Sequence, residues 1–425
     1  MANAFSKEER VAFEDILEGF NDALVLSRNV ATYSTDSTMM ERTNDIIWRP
    51  QPYIATSIDG APGTDISASY KNMTQLSVPA TIGFSKTVPW TLNAKELRDA
   101  LQENRLGDSA KQKLASDINV ALMNVASAQG TLFVKRTAAA SGFDDVAQAE
   151  AIFNEQGVPS YDRYLALSTR DYNGMASNLA GRQNMTDLPK EAYRRAYVGM
   201  IASFDTYKLD YANRVAAAGG GAGITIETRD VGANYYTPQA TSTSVGGKIN
   251  VDNRYQTITV STSAGVVAGD AFTIAAVNAV HHITKGDTGQ LKTFRVISVP
   301  PGGTTLVISP PIISNQVADD ASAQYQNCVV NTKAAASAIV FLNTVAGYAN
   351  PFWQRDALEI LPGRYAVPSD AGTAVMRAST DQGIELVMQK FYDIDTMKTK
   401  YRLDTLFGVV CKQPEMAGIM MFSQT

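Results

Sequence analysis

Residues 248–260 read KINVDNRYQTITV, and they lie in the middle of the one long strand-rich region of the chain, about residues 224–345. Ile258 and Val260 alternate with polar residues, the period of two that is typical of a half-buried strand. Similar pairs recur downstream, at Phe272 with Ile274, Phe294 with Val296 and Leu306 with Ile308. Turn-forming GVVAGD, KGDTG and PPGG segments separate these pairs. The region therefore predicts a small antiparallel barrel or sandwich.

The sequence on either side of this region has a different pattern, with helices and mixed strands. The simplest architecture is an α+β body interrupted by a β insertion. A length of 425 residues allows two or three domains, and a hydrophobic content of 45% supports real cores.

Composition argues against several classes of protein. We expect no signal peptide, since charged residues begin at Lys7, and no membrane span, since no run of about 18 apolar residues occurs. Cys328 and Cys411 are isolated, which favours a reducing cytoplasm over a disulfide framework. A net charge of −5 without a basic block argues against a dedicated nucleic-acid-binding protein.

Two helices are predicted in the first third of the chain. Residues 5–27 place an apolar stripe on one face and acidic residues on the other, with Ser6 and Glu9 at capping-box positions. Asn93 with Glu96 predicts a second helix start. We expect a break at Gly107 and then a helix from Asp108 to about Gln129, long enough to serve as a strut.

Residues 51–88 hold Pro, Gly, Ser and Thr with scattered strand formers, after a tryptophan at Trp48 that we expect to anchor a buried strand. Such a segment buries little of itself within one body, so it predicts a two-stranded arm that reaches a neighbouring subunit. Deleting residues 57–75 should then leave a folded monomer that does not assemble.

Residues 144–224 predict alternating helix and strand. Helices are expected at 144–156 and 171–179, strands at 163–167 and 200–209, and a helical turn near 188–197. The glycine-rich residues 216–223 predict a flexible joint from which the insertion branches. They carry no Walker lysine, so we do not interpret them as a phosphate-binding loop.

Four stretches together carry a family resemblance. They are the insertion sequence that begins at residue 248, NDIIWRP at 44–50, NPFWQRDALEIL at 350–361, and the closing YRLDTLFGVVCKQPEMAGIM. In order and spacing the chain resembles P-22-type coat proteins, the major capsid proteins of short-tailed phages. The resemblance implies an α+β, Hong Kong 97-like capsid fold with an inserted antiparallel β-barrel domain.

The resemblance also implies a division of the chain. The expected parts are an N-terminal arm at 1–45, an extended loop (E-loop) at 46–90, a peripheral domain with a spine helix at 91–143, the first part of an axial domain at 144–223, an insertion β-barrel domain at 224–346, and the remaining axial and peripheral residues at 347–425.

Residue roles follow by resemblance alone. Glu14, Asp15 and Glu18 match acidic residues of the family's N-terminal arm that bind the basic helix of a scaffolding protein. The family's insertion loop makes ion pairs between capsomers, but residues 237–247 carry no charge here, so a bridge would use Tyr235, Tyr236, Lys248 or Asp252. Fold-defining roles are expected for Trp48, Pro50, Asn253, Arg254, Phe352, Trp353, Asp356, Pro414 and Glu415.

The implied function is a capsid shell of pentons and hexons, a homo-oligomer in the virion that is assembled in the host cytoplasm. The implied partners are a scaffolding protein, a portal protein and packaged DNA in non-specific contact only, with no membrane. Gly107 and residues 219–221 are expected hinges.

The sequence offers little enzyme chemistry. His281 and His282 are adjacent, a poor geometry for joint metal ligation on a strand, and Asp319 and Asp320 suit a solvated turn. We therefore expect no catalytic residues, cofactor or metal. Alternatives are an encapsulin-like nanocompartment shell that needs no scaffold, a β-rich binding module or adhesin, and, more distantly, an unrecognised hydrolase.

Overall fold

The computed structural model describes residues 5, 7–24, 26–33, 46–51, 55, 57–60, 63, 65–70, 73–93, 100–180, 199–209, 212–221, 223–226, 252–314, 320–330, 337–367 and 372–425. The chain is of the mixed α+β class and divides into two compact units. Unit 1 comprises Met1–Ile47, Ala80–Asn124 and Leu358–Val410, and unit 2 comprises Trp48–Pro79, Val125–Ala357 and Cys411–Thr425.

Unit 1 is built on two helices and one sheet. Its elements are α1 (Lys7–Ala23), β1 (Ala31–Thr32), β4 (Phe84–Asn93), most of α2 (Ala100–Gln129), β18 (Leu358–Pro362), β19 (Ala374–Ser379), β20 (Glu385–Asp393) and β21 (Lys398–Cys411). The sheet has six strands in the order β1-β18-β21-β20-β19, with β4 also paired to β21.

The pairing of β4 with β21 extends over ten residue pairs, from Asn93 opposite Lys398 to Phe84 opposite Phe407. Two aromatic pairs reinforce it: Phe84 stacks on Phe407 at 5.4 Å and Trp90 on Tyr401 at 5.6 Å between ring centroids. Such cross-strand aromatic pairs stabilise a sheet beyond the area that they bury.

The amphipathic pattern of the first helix is confirmed. The apolar side chains of Phe13, Ile16 and Phe20 are buried in unit 1, and the helix lies against α2. The predicted break at Gly107 is wrong, because α2 continues through it as 30 residues. The physical reason is packing: a Cβ built at Gly107 would lie 2.6 Å from Cδ1 of Ile16, so the glycine permits close approach of two helices.

Unit 2 contains the remaining elements. They are β3 (Ser77–Thr81) and β2 (Ile46–Pro50), which both cross the unit boundary, β5 (Leu132–Lys135), α3 (Phe143–Glu155), β6 (Arg163–Ser168), α4 (Thr169–Ala180), β7 (Met200–Ile201), β8 (Phe204–Leu209), β9 (Arg214–Val215), β10 (Gln256–Thr259), β11 (Ala271–Val280), β12 (Asp287–Ser298), β13 (Thr305–Ser309), α5 (Asp320–Tyr325), β14 (Cys328–Val330), β15 (Ile339–Phe341), β16 (Gly347–Tyr348), β17 (Asn350–Gln354) and β22 (Ala417–Met421).

A mixed sheet in the order β5-β22-β17-β6-β8-β7 forms one core of unit 2 with α3 and α4. Its centre holds three phenylalanine rings, with Phe153 5.4 Å from Phe204 and 5.2 Å from Phe352. The predicted helices near 144–156 and 171–179 and the strand at 163–167 are confirmed. The strand expected at 200–209 is instead a hairpin of β7 and β8, because Ala202 and Ser203 adopt positive φ angles of 44° and 63° between them.

The strand-rich region forms an antiparallel sheet that closes on itself, called the antiparallel ring below. Strands follow the order β10-β13-β12-β11, and β11 also pairs with β14 and β15. Residues 224–226 complete the circle: the N–H of Ile339, next to Ala338, donates to the carbonyl of Ile224 at 2.9 Å, and Ile226 bridges to Val260 at the end of β10. The buried faces of these strands share one apolar core, so the period-two prediction is confirmed.

The glycine-rich residues before this ring are packed against it. The N–H of Ala218 donates to the carbonyl of Asn343 at 2.8 Å. A Cβ at Gly219 would meet the carbonyl oxygen of Gly265 at 2.6 Å, and one at Gly220 would meet the ring of Phe341 at 2.5 Å. The absence of a side chain at these two glycines therefore allows the backbone of Gly265 and the aromatic ring of Phe341 to pack closely against them. The expectation of a free flexible joint is wrong for residues 218–220.

Candidate functional site

Three of the acidic residues of α1 lie on its solvent face. Glu14, Asp15 and Glu18 are exposed, on the side opposite the buried apolar stripe. One residue of the same helix anchors it: Glu9, 8% exposed, accepts hydrogen bonds from Nζ of Lys390 and, at 3.0 Å, from the hydroxyl of Tyr401. The acidic face is thus presented on a helix that is held by its own unit. Ser6 lies outside the described residues.

The arm predicted from residues 51–88 begins as a two-stranded ribbon, since β2 pairs with β3. In the segment between β2 and β3, large apolar side chains are exposed, among them Ile58, Tyr70 and Met73, with Tyr70 80% exposed. Trp48, expected to be buried, is only half-buried on β2. Residues 84–93 do not belong to the ribbon, because they form β4 in the sheet of unit 1.

The foot of the ribbon is fixed to α5. The hydroxyl of Tyr325 accepts the N–H of Leu76 at 3.0 Å and donates to the carbonyl of Thr74 at 3.1 Å. Oε1 of Gln324 accepts the N–H of Thr74 at 3.1 Å. Leu76, Ile313 and Tyr325 form a small buried apolar cluster beneath these bonds. No sequence pattern indicated this attachment, whose partners are about 250 residues apart.

Of the four residues proposed for contacts between subunits, Tyr235, Tyr236 and Lys248 lie outside the described residues. Asp252 is described, and its carboxylate binds Arg254 at 2.7 Å. The Arg254 guanidinium also donates to the carbonyl of Cys411 at 2.8 Å. Asp252 is therefore engaged within its own subunit, and this pair ties the entry of β10 to the end of β21.

Of the residues expected to define the fold, five are buried and two are exposed. Phe352 and Trp353 are fully buried on β17, and Trp353 lies 6.1 Å from the ring of Tyr164. Asn253, Arg254 and Pro414 are also buried. Pro50 and Asp356 are exposed, with Oδ2 of Asp356 3.4 Å from Nε2 of Gln354. Their resemblance-based roles stay predictions.

Glu415 belongs to a buried cluster of charges that the sequence did not reveal. Its carboxylate accepts a hydrogen bond from Nζ of Lys292, whose side chain is 3% exposed. Burial on its own raises the pKa of Glu415, but the positive charges around it, that of Lys292 above all, outweigh this effect and the pKa is lowered. Removing one partner of such a pair leaves an uncompensated buried charge, which costs about 3–5 kcal/mol.

His282 and Lys285 lie at the same cluster. Burial lowers the pKa of His282 to about 4, and the nearby Lys292 and Lys285 lower it while Glu415 raises it. Burial also lowers the pKa of the Lys285 amine. His282 is therefore neutral at pH 7. His281, its neighbour, packs its ring against Gly157.

Reactive chemistry finds little support among the described residues. No group of three or more His, Cys, Asp or Glu in that part of the chain is arranged to hold a metal ion. Cys328 and Cys411 are free and buried, and burial raises the pKa of both thiols to about 12, so neither is a reactive thiolate at pH 7. Within the same described part, none of the helices has the length and apolar character that crossing a bilayer requires.

Comparisons with known proteins bear on the whole chain. Solved structures that resemble it include one from Mycobacterium phage Che8, with 9% identity, coverage of 93% of this chain and 90% of that chain, and a TM-score of 0.45. Another is the capsid of cyanophage P-SCSP1u, with 10% identity, coverage of 93% and 86%, and a TM-score of 0.43. The CUS-3 coat protein I-domain is 41% identical over 29% of this chain and 99% of its own, with a TM-score of 0.22.

The family comparison is decisive. The family model described as "P22 coat protein - gene protein 5" matches residues 1–423, nearly the entire chain. That match agrees with the fold expected from the sequence motifs. The chain belongs to the P22 coat protein family, and it is a non-enzymatic structural protein of the phage capsid shell.

Proposed function

We propose that this coat protein assembles as pentons and hexons into an icosahedral shell around phage double-stranded DNA, by way of a scaffold-dependent precursor shell that expands when DNA is packaged. The observation that carries the proposal is that one chain exposes two surfaces suited to binding other proteins. One is the acidic face of α1 and the other is the apolar ribbon beyond β2.

The acidic face suits a basic partner segment. Glu14, Asp15 and Glu18 sit at positions i, i+1 and i+4 of a helix, so their carboxylates share one surface. All three are exposed, and so they pay no desolvation cost in the free subunit. A scaffolding protein with a basic helix would bind there through long-range attraction that salt weakens. A weak, salt-sensitive contact also allows the scaffold to leave the precursor shell.

The ribbon suits contact with a neighbouring copy. Ile58, Tyr70 and Met73 expose apolar surface that has no use in a free monomer. A two-stranded ribbon is marginally stable alone, so it gains from lying on another subunit. Each subunit makes many such contacts, and their sum stabilises the shell even when each is weak.

The remaining partners follow from the role in a shell. A net charge of −5 fits an inner wall that contacts packaged DNA without sequence preference and without strong attraction. A portal protein would replace one penton, as DNA needs an entry. We place the protein in the virion, after assembly in the cytoplasm of the bacterial host.

Expression with and without a basic scaffolding protein tests the proposal by negative-stain electron microscopy. We expect closed particles of uniform size only when the scaffold is present, and aberrant or unassembled material without it. Uniform closed particles without any scaffold would contradict scaffold dependence and would support a nanocompartment shell instead.

A further inference from the structure

A cavity of about 450 Å³ lies within unit 2, beside the foot of the ribbon. Its walls come from the turn after β11, the segment after β13, α5 and the segment after β21. This volume lies within the range of about 300–1,000 Å³ that is usual for small-molecule sites. The shell role described above gives this cavity no task.

The apolar part of the wall includes side chains that pack against one another in a buried cluster. Leu76, Ile313 and Tyr325, the buried cluster at the ribbon foot, line the cavity, and Pro310 and Pro311 extend this apolar wall. An apolar ligand body placed there would contact the same side chains that hold the ribbon.

Two buried polar atoms on the cavity wall lack hydrogen-bond partners among the described residues. They are Nε2 of His282 and Oε1 of Gln51. A buried polar atom without a partner costs about 1–3 kcal/mol, so such atoms mark places where a ligand or water completes the bonding. Their position on the cavity wall indicates a site with polar as well as apolar recognition.

The charges of the wall are unbalanced towards positive. Arg254 is neutralised by Asp252, and Glu415 is neutralised by Lys292. Among the described residues that line the cavity, the remaining charged side chains are Lys285, Lys412 and the exposed Asp356. They leave an excess of one positive charge at the cavity.

The two lysines have free donor capacity. The ammonium of Lys285 donates to the carbonyl of Gln326 at 3.0 Å, which uses one of its three N–H bonds. Among the described residues, the amine of Lys412 takes part in no hydrogen bond or ion pair. A half-buried ammonium with unused donors is stabilised by an anion more than by water.

We propose that this cavity binds a small amphipathic monoanion, such as an aliphatic carboxylate. The anionic head lies at Lys285 and Lys412, and the apolar body lies against Ile313 and Tyr325. Since Leu76 is part of the same wall, a bound ligand also holds the ribbon foot in place. This inference goes beyond the proposed shell function and does not depend on it.

Isothermal titration calorimetry on the full-length protein tests the site, with decanoate as the ligand and decylammonium as the matched cation, both below their micelle concentrations. We expect decanoate to bind at one site per chain and decylammonium to bind at least about tenfold more weakly, as expected when a charge-assisted hydrogen bond is lost. Lys285→Gln should weaken decanoate binding by about tenfold or more, with Lys412→Gln as a second variant should the first not fold. Lys113→Gln, an exposed lysine on α2, is the matched control and should bind as the wild type does.

Hydrogen exchange locates the binding independently. Decanoate should slow exchange at the amide of Leu76, which donates to Tyr325 beside the cavity. The proposal is overturned if decanoate gives no binding heat, if decylammonium binds equally well, or if the folded lysine variants bind as the wild type does. It is also overturned if decanoate binds and leaves exchange at Leu76 unchanged.

Discussion

The hydroxyl of Tyr325 lies 3.0 Å from the backbone nitrogen of Leu76 and joins a helix at the edge of the antiparallel ring to the foot of the ribbon. The same hydroxyl also donates to the carbonyl of Thr74. One side chain thus satisfies two backbone groups at the foot of the ribbon. The foot of the ribbon is therefore fixed to α5.

Tyr325→Phe should loosen the ribbon foot. The change keeps the ring and removes the hydroxyl, so the buried N–H of Leu76 loses its acceptor at a cost of about 1–3 kcal/mol. We expect faster hydrogen exchange over residues 73–79, with little change in the sheet of unit 1. Tyr161→Phe is the control, because Tyr161 is 61% exposed. Equal exchange in wild type and Tyr325→Phe would show that the hydroxyl does not hold the ribbon.

His282 should make stability depend on pH. Its pKa is about 4 in the folded protein and 6.5 for the free side chain, so the unfolded chain takes up a proton first as the pH falls. The contribution of His282 to the free energy of unfolding is complete above pH 6.5 and is lost progressively as the pH falls to about 4. The loss over this range is on the order of 3 kcal/mol.

His282→Gln should remove this part of the pH dependence. The free energy of unfolding, measured by urea denaturation from pH 7.5 to 4, should fall less for the variant than for the wild type. The charged groups around His282, namely Glu415, Lys292 and Lys285, are unchanged in the variant. His281→Gln, at the adjacent half-buried histidine, serves as the control. If both variants and the wild type lose stability in parallel, His282 is not the titrating group.

Gly418→Ala should be strongly destabilising. A Cβ at this position would lie 2.4 Å from the carbonyl oxygen of Leu132 and 2.7 Å from the ring of Phe352, so backbone atoms of β5 would have to move. Overpacking of this kind costs about 1–3 kcal/mol or more. Soluble yield and urea denaturation measure the effect. Gly83→Ala, where a Cβ would meet nothing within 4 Å, should behave as the wild type does.

Reversing the charge of the α1 face should abolish scaffold binding and leave the fold intact. The triple variant Glu14→Lys, Asp15→Lys, Glu18→Lys changes only exposed side chains, and Glu9, which anchors the helix, is kept. We expect loss of co-sedimentation with a basic scaffolding protein, together with a normal circular dichroism spectrum. The control is Asp144→Lys with Glu155→Lys, two exposed acids on α3. A scaffold that binds the triple variant normally would remove α1 from the proposed interface.

Local periodicity was sufficient to predict much of the fold. Ile258 and Val260, and the later pairs at Phe272, Phe294 and Leu306, lie on strands of one antiparallel sheet with a shared core. The apolar stripe of α1 is equally predictable, because its buried residues recur in the sequence at the spacing of a helix.

Features that depend on distant partners could not be predicted in this way. Gly107 predicts a break because glycine weakens helices. The structure instead uses the absence of a side chain at Gly107 to let Ile16, far away in sequence, pack closely against α2. Lys292 and Glu415 are 123 residues apart, so no local pattern joins them. Ala202 and Ser203 carry positive φ angles without glycine, so the turn between β7 and β8 gave no sequence signal.

The central claim is that this chain is a shell subunit whose ribbon contacts an adjacent subunit. Electron cryomicroscopy tests it most directly, by icosahedral reconstruction of particles formed with a scaffold. We predict a closed shell in which residues 57–70 of each copy lie on an adjacent copy. A chain that stays monomeric with a scaffold present, or a shell in which residues 57–70 fold back on their own subunit, would contradict the account.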